Sequence, residues 1–205
     1  MQHLDLFAGI GGFTVAAQRI GWETIGFCEV DPYCLEVLET RFGGNGWFSL
    51  PGPLASWEEK RFGGSEELAW LEPDWLVIEN TYHRWRAWMP ELRRRLYERG
   101  YSSLPLRVRA AEVGAPHLRA RGWLVAHADC EQLRELSRWW SREGGQVAAE
   151  LAESRDSAPR RLGADDGLPD WTYRRHALGN AVDTYAAELV LRGIKAVTSS
   201  GDKAP

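Results

Sequence analysis

Residues 1–34, MQHLDLFAGIGGFTVAAQRIGWETIGFCEVDPYC, decide the fold. The apolar run at 3–7 reads as a buried strand, the cluster at 9–12 as a tight turn, and 13–20 as a helix that Gly21 stops. A second apolar run at 25–30 reads as another strand. Asp31-Pro32 then opens a helix through residue 42, with Asp as N-cap and Pro at the first helical position. Strand, helix, strand, helix is the usual beginning of a doubly wound parallel sheet.

A glycine turn between a first strand and a first helix lets a ligand approach the backbone, and the helix N-terminus favours negative charge. The spacing G-I-G-G is not the G-x-G-x-x-G of dinucleotide binders, and no G-K-[ST] follows for a triphosphate. Two neighbours sharpen the reading. Phe7 sits beside the turn, where a ring can pack on an adenine or a methionine-like chain, and Glu29 ends the second strand, where a carboxylate can accept from both ribose hydroxyls. An adenosine-like ligand is expected, and a carboxylate in place of a phosphate partner fits S-adenosylmethionine. The plainer alternative is a generic strand-turn-helix with an incidental acid.

Beyond residue 42 a Gly- and Pro-rich stretch reads as loop, 75–79 (WLVIE) as a buried strand, 89–99 as an amphipathic helix, and 103–109 and 122–127 as strands. Residues 131–170 suggest one helix near 133–140 and otherwise a flexible or poorly packed insert; 182–192 reads as a last helix and 197–205 as a polar tail. With 205 residues, 44% hydrophobic and 26% charged, a globular protein of one domain is expected. No run is long and apolar enough for a membrane span, and the N-terminus lacks a secretory pattern, so a cytoplasmic setting is expected. Cys28, Cys34 and Cys130 follow no metal-ligand spacing, and no metal is expected. The net charge of −4 gives no general support for nucleic-acid binding, but residues 83–121 hold ten arginines against three glutamates. That stretch is a candidate phosphate-facing surface, although Arg93, Arg94 and Arg95 read better as a solvated helix face.

DLFAGIGGF (5–13) followed by FCEVDPYC (27–34) resembles the first two motifs of the cytosine-5 DNA methyltransferases, most of all bacterial or phage members. IEN at 78–80, VGAPHLRARGWLVAHAD at 113–129 and ALGNAV at 177–182 match further motifs in the family's order. The resemblance implies an α/β, Rossmann-like, S-adenosylmethionine-dependent fold with a doubly wound, mostly parallel sheet, shortened around its third and fourth strands. It implies a cofactor-binding domain from 1–130 plus 171–195, an insert or linker at 131–170 where a target-recognition domain would stand, and a tail at 196–205. Asp5, Phe7, Ala8, Gly9, Gly11, Gly12, Glu29, Val30, Asn180, Ala181 and Val182 would line the cofactor pocket, Asn180 closing over the methionine end. Glu79 matches the glutamate that contacts cytosine N3 and its exocyclic amine, Arg121 the arginine that holds O2, and Arg119 one near the catalytic loop and phosphate. His117 stands where the family usually has Gln. DNA, met through the arginines of 84–121, is the implied partner, in a restriction-modification setting.

The family's reaction needs a cysteine thiolate, in a Pro-Cys-Gln loop, that adds to C6 of a flipped-out cytosine and makes C5 nucleophilic. No Pro-Cys-Gln occurs in these 205 residues. Only 36 residues, 43–78, fill the interval in which the family places two strands and that loop; a faint match of WFSLPG (47–52) would put Asn45 at the nucleophile position. Tyr82, His83 and Trp85 are expected to crowd the base pocket beside Glu79. The first expectation is therefore a protein that binds cofactor and DNA without methylating alone. The alternatives are an active enzyme completed by a second subunit or using non-thiolate chemistry, and a small-molecule or RNA methyltransferase on the same fold.

Overall fold

The computed structural model describes residues 1–29, 31–42, 48–49, 73–155 and 181–201. The chain divides into two compact units, residues 1–52 with 155–191 and residues 53–154 with 192–205. Among the described residues hydrogen bonding gathers the strands into two three-stranded sheets.

In the first unit β1 (Gln2–Leu6) runs parallel to β2 (Glu23–Cys28), and β2 is parallel to the short β3 (Phe48–Ser49). Helix α1 (Gly12–Arg19) connects β1 to β2 and buries Thr14, Ala16 and Ala17. Helix α2 (Pro32–Phe42) starts as the sequence predicts, with Asp31 Oδ1 accepting from the Cys34 backbone N–H at 3.0 Å. Leu38 seals the core against Ala8 and Phe27, with Leu35 and Phe42 packed alongside. Asp183 caps the last helix, Thr184–Gly201, by accepting from the Tyr185 and Ala186 N–H groups, both at 3.1 Å. That helix continues past residue 192 because Ile194 and Val197 extend its buried stripe, so 196–201 is helical and not tail.

The second unit contains β4 (Trp75–Thr81), α3 (Tyr82–Glu98), β5 (Ser102–Arg109), a 3₁₀ turn (Ala110–Val113), β6 (Ala120–His127), α4 (Cys130–Arg142) and α5 (Gly144–Ser154); the last helix, Thr184–Gly201, is α6. Strand β6 lies between β4 and β5 and is antiparallel to both. Helix α3 begins at Tyr82, well before the expected residue 89. Trp85, Met89, Leu92 and Leu96 fall at spacings of three and four and pack with Leu76, Ile78, Leu124 and Ala126 on one sheet face. That stripe outweighs the interior Pro90, whose ring sits on the exposed side. Residues 131–154, half expected to be loose, form two packed helices: Leu133, Leu136 and Trp139 are buried from α4, and Ala148 and Leu151 from α5. Gly144 and Gly145 disguise α5 in the sequence, but Gly144, Val147, Ala148 and Leu151 make one helical stripe. Among the described residues no helix is long and apolar enough to cross a membrane.

Candidate functional site

The turn after β1 is built around glycines that serve different neighbours. Gly9 and Gly11 have positive φ, 54° and 84°, and so does Phe7 at 58°. A Cβ on Gly11 would come within 2.5 Å of the Phe42 ring, and one on Gly12 within 2.5 Å of Val182 Cγ1 and 2.9 Å of the Val182 carbonyl oxygen. These two glycines let protein approach protein. A Cβ on Gly9 would meet nothing within 4 Å among the described residues, so of the three turn glycines Gly9 leaves most room there at the backbone. Phe7 is 48% exposed beside it, and Ala8 is buried below.

Glu29 is tied to this turn. Its Oε2 accepts from the Gly9 N–H at 2.6 Å and its Oε1 from the Asp31 N–H at 2.9 Å. A carboxylate has about four acceptor positions, and backbone donors on both oxygens fix its plane and orientation. Asp5, by contrast, is buried with its Oδ2 accepting from both the Thr14 N–H (3.0 Å) and the Thr14 hydroxyl (2.6 Å). Burial pushes its pKa up to about 6 against these hydrogen bonds. Asp5 therefore anchors the first turn of α1. Val30 and Asn180 lie outside the described residues; Ala181 and Val182 are described, the latter against Gly12.

In the second unit Glu79 pairs in register with Trp123, and Arg121 with Thr81, so the two charged side chains are diagonal neighbours on one sheet face. Arg121 Nε lies 2.6 Å from Glu79 Oε1, and each side chain is only 13% exposed. The contact is one of charge without hydrogen-bond alignment: among the described residues Glu79 Oε1 is buried and has no hydrogen-bond partner. Burial raises the Glu79 pKa to about 7, and the attraction of Arg121 offsets only part of the rise. Arg119 is brought into no such pair, its Nη2 being buried without a hydrogen-bond partner among the described residues.

The family model for C-5 cytosine-specific DNA methylase matches residues 1–49. The chain resembles the C-5 cytosine-specific DNA methylases. The solved structure of S. pombe Dnmt2 methyltransferase is 17% identical with a TM-score of 0.50, covering 62% of this chain and 49% of that one. A prophage-encoded E. coli protein, described as a DNA modification methyltransferase, is 18% identical over 62% of this chain and 46% of its own, with a TM-score of 0.49. The Entamoeba histolytica methyltransferase EhMeth is 13% identical over 63% and 53%, with a TM-score of 0.49. The chain spans about half the length of these structures. No curated protein sequence matches it. At such identities the likeness is one of fold: a shortened, Rossmann-like α/β methyltransferase fold.

In this methylase-like chain Tyr82 and Trp85 lie away from Glu79. Trp85 is buried on the opposite sheet face, with its indole where a Cβ on Gly122 would stand, and Tyr82 lies under the Arg107 guanidinium at 5.8 Å. The His83 side chain lies outside the described residues. Of the arginines of 84–121, the side chains of Arg84 and Arg86 lie outside the described residues. Arg94 pairs with Glu91 and Glu98, Arg95 with Glu91, and Arg93 donates to the Ser103 hydroxyl at 3.2 Å, as a solvated helix face would. Cys28 and Cys34 are buried, and burial raises both thiol pKa values, that of Cys34 to about 12. Cys130 is exposed in the first turn of α4. Sequence reasoning missed the role of Asp5; the signal was a lone acid inside the buried strand HLDLF, which must find a partner.

Proposed function

We propose that this protein is a cytosine-5 DNA methyltransferase-like protein that holds S-adenosylmethionine at the glycine turn and binds DNA, but does not transfer the methyl group by itself. The observation that carries the reading is the pairing of Gly9 with Glu29. Gly9, where a Cβ would meet nothing within 4 Å among the described residues, adjoins a carboxylate held by backbone donors. Such a carboxylate can accept from ribose hydroxyls, and the exposed Phe7 ring offers an apolar surface to an adenine. When bound, S-adenosylmethionine supplies an electrophilic methyl group.

Glu79 suits a base edge. A carboxyl with a pKa near 7 is half protonated at neutral pH, able to donate to a ring nitrogen and accept from an amine. Arg121 beside it supplies a donor for a carbonyl oxygen. DNA is the macromolecule this chemistry fits, with the arginines of 84–121 toward phosphate. The 205 residues hold no Pro-Cys-Gln. Cys28 and Cys34 are buried with raised pKa values, the opposite of what an attacking thiolate needs. General-acid assistance from Glu79 is worth only about 10²- to 10⁴-fold, far short of what thiolate addition gives to C5.

The test is isothermal titration of the purified protein with S-adenosylmethionine and with its demethylated product. Saturable one-to-one binding is expected, lost in Glu29→Ala. Absence of heat and of competition with either ligand refutes the cofactor site; unchanged affinity in Glu29→Ala removes Glu29 as the ribose ligand.

A further inference from the structure

The first turn of α6 is held by more than a helix cap requires. Arg155 makes a two-point contact with Asp183, Nη2 to Oδ2 at 2.7 Å and Nη1 to Oδ1 at 3.2 Å. The same Oδ1 caps α6 through the Tyr185 and Ala186 N–H groups. Two guanidinium groups lie over the Tyr185 ring, Arg155 at 4.6 Å and Arg19 at 4.5 Å from its centroid. Arg19, at the end of α1, also reaches the buried Glu188 of α6, Nη1 to Oε2 at 3.4 Å. Two cations thus meet one ring, one countered by Asp183 at the cap of α6 and the other by Glu188 within it.

Val182 directly precedes this turn and presses on Gly12, the first residue of α1, so closely that no Cβ fits there. Release of the α6 start would lift Val182 off the glycine turn. We propose that Arg155 is a positioning residue for cofactor binding: through Asp183 and Tyr185 it fixes Val182 against Gly12 and so holds the turn in its binding shape. This inference rests on the cofactor reading above and names a residue that touches no cofactor itself.

The experiment titrates S-adenosylhomocysteine into wild type, Arg155→Met, Arg155→Lys, Asp183→Asn and Tyr185→Phe, with melting midpoints alongside. Asn caps a helix about as well as Asp, so Asp183→Asn removes the ionic pair and spares the cap. Arg155→Lys keeps the charge and loses the planar fork. A tenfold loss of affinity corresponds to about 1.4 kcal/mol. Arg155→Met and Asp183→Asn should each weaken binding about tenfold at temperatures where both remain folded, Arg155→Lys should fall between, and Tyr185→Phe should bind like wild type. If wild type binds and both Arg155→Met and Asp183→Asn stay within about twofold of it, the positioning role is overturned while the cofactor site stands. If wild type does not bind, the cofactor reading and this inference fall together.

Discussion

Glu29 and Glu79 stand at comparable places, the ends of strands β2 and β4, yet the chain holds them in opposite ways. Glu29 receives backbone N–H groups on both oxygens, from Gly9 and Asp31. Glu79 is buried against Arg121 with an oxygen that has no hydrogen-bond partner among the described residues, and its pKa rises to about 7. The first arrangement fixes an acceptor before any ligand arrives. The second leaves a carboxyl strained between charged and neutral, where a base edge could supply the missing bond.

The scaffolds behind the two carboxylates can be broken separately. Gly122→Ala places a Cβ on top of the Trp85 ring, an overlap with a rigid buried indole. It should cost about 3 kcal/mol in urea unfolding by shifting β6 against α3. A pH series separates the carboxyls themselves. Asp5 and Glu79 both have pKa values raised by folding, to about 6 and about 7. The folded state therefore binds more protons than the unfolded one, so stability is greatest below about pH 4 to 4.5 on their account and falls as pH climbs through 6 and 7. Glu79→Gln should flatten the upper part of that fall, a change of about 2 kcal/mol between pH 5 and 8; an unchanged slope would mean that Glu79 is not held as described.

Smaller effects sharpen the picture of the glycine turn. Gly12→Ala collides with Val182 and should cost about 2 kcal/mol, whereas Gly9→Ala meets only open space and should cost about 1 kcal/mol, for its left-handed backbone alone. Yet Gly9→Ala should lose cofactor binding despite near-normal stability, because its methyl occupies the room left for ligand. Arg94→Ala should do least, leaving both melting midpoint and DNA affinity unchanged, since Glu91 and Glu98 already engage that exposed guanidinium.

The strand-turn-helix-strand start was legible because local signals agree there: an apolar run, glycines, an Asp-Pro helix opening. The Glu79 and Arg121 pair was legible through motif order, and antiparallel register then brings the two side chains together. What the sequence hid depends on distant partners. Arg19 and Glu188 are 169 positions apart, and nothing local marks Arg155 as the partner of Asp183. Nothing local shows that Phe42 and Val182 stand where Cβ atoms on Gly11 and Gly12 would be. Tyr82 and Trp85 looked like obstacles to a base because strand alternation beyond Glu79 passes into α3, which turns them to the other sheet face. Helix α5 was missed because paired glycines at its start mask a short apolar stripe.

The central claim is a kept cofactor site without autonomous transfer. It is tested most directly by incubating the protein alone with methyl-labelled S-adenosylmethionine and cytosine-containing duplex DNA, then measuring label on protein and on DNA after filtration. The account predicts label retained by the folded protein and none in DNA cytosine. Cytosine C5 methylation by this chain alone, or no retained label at all, would contradict it.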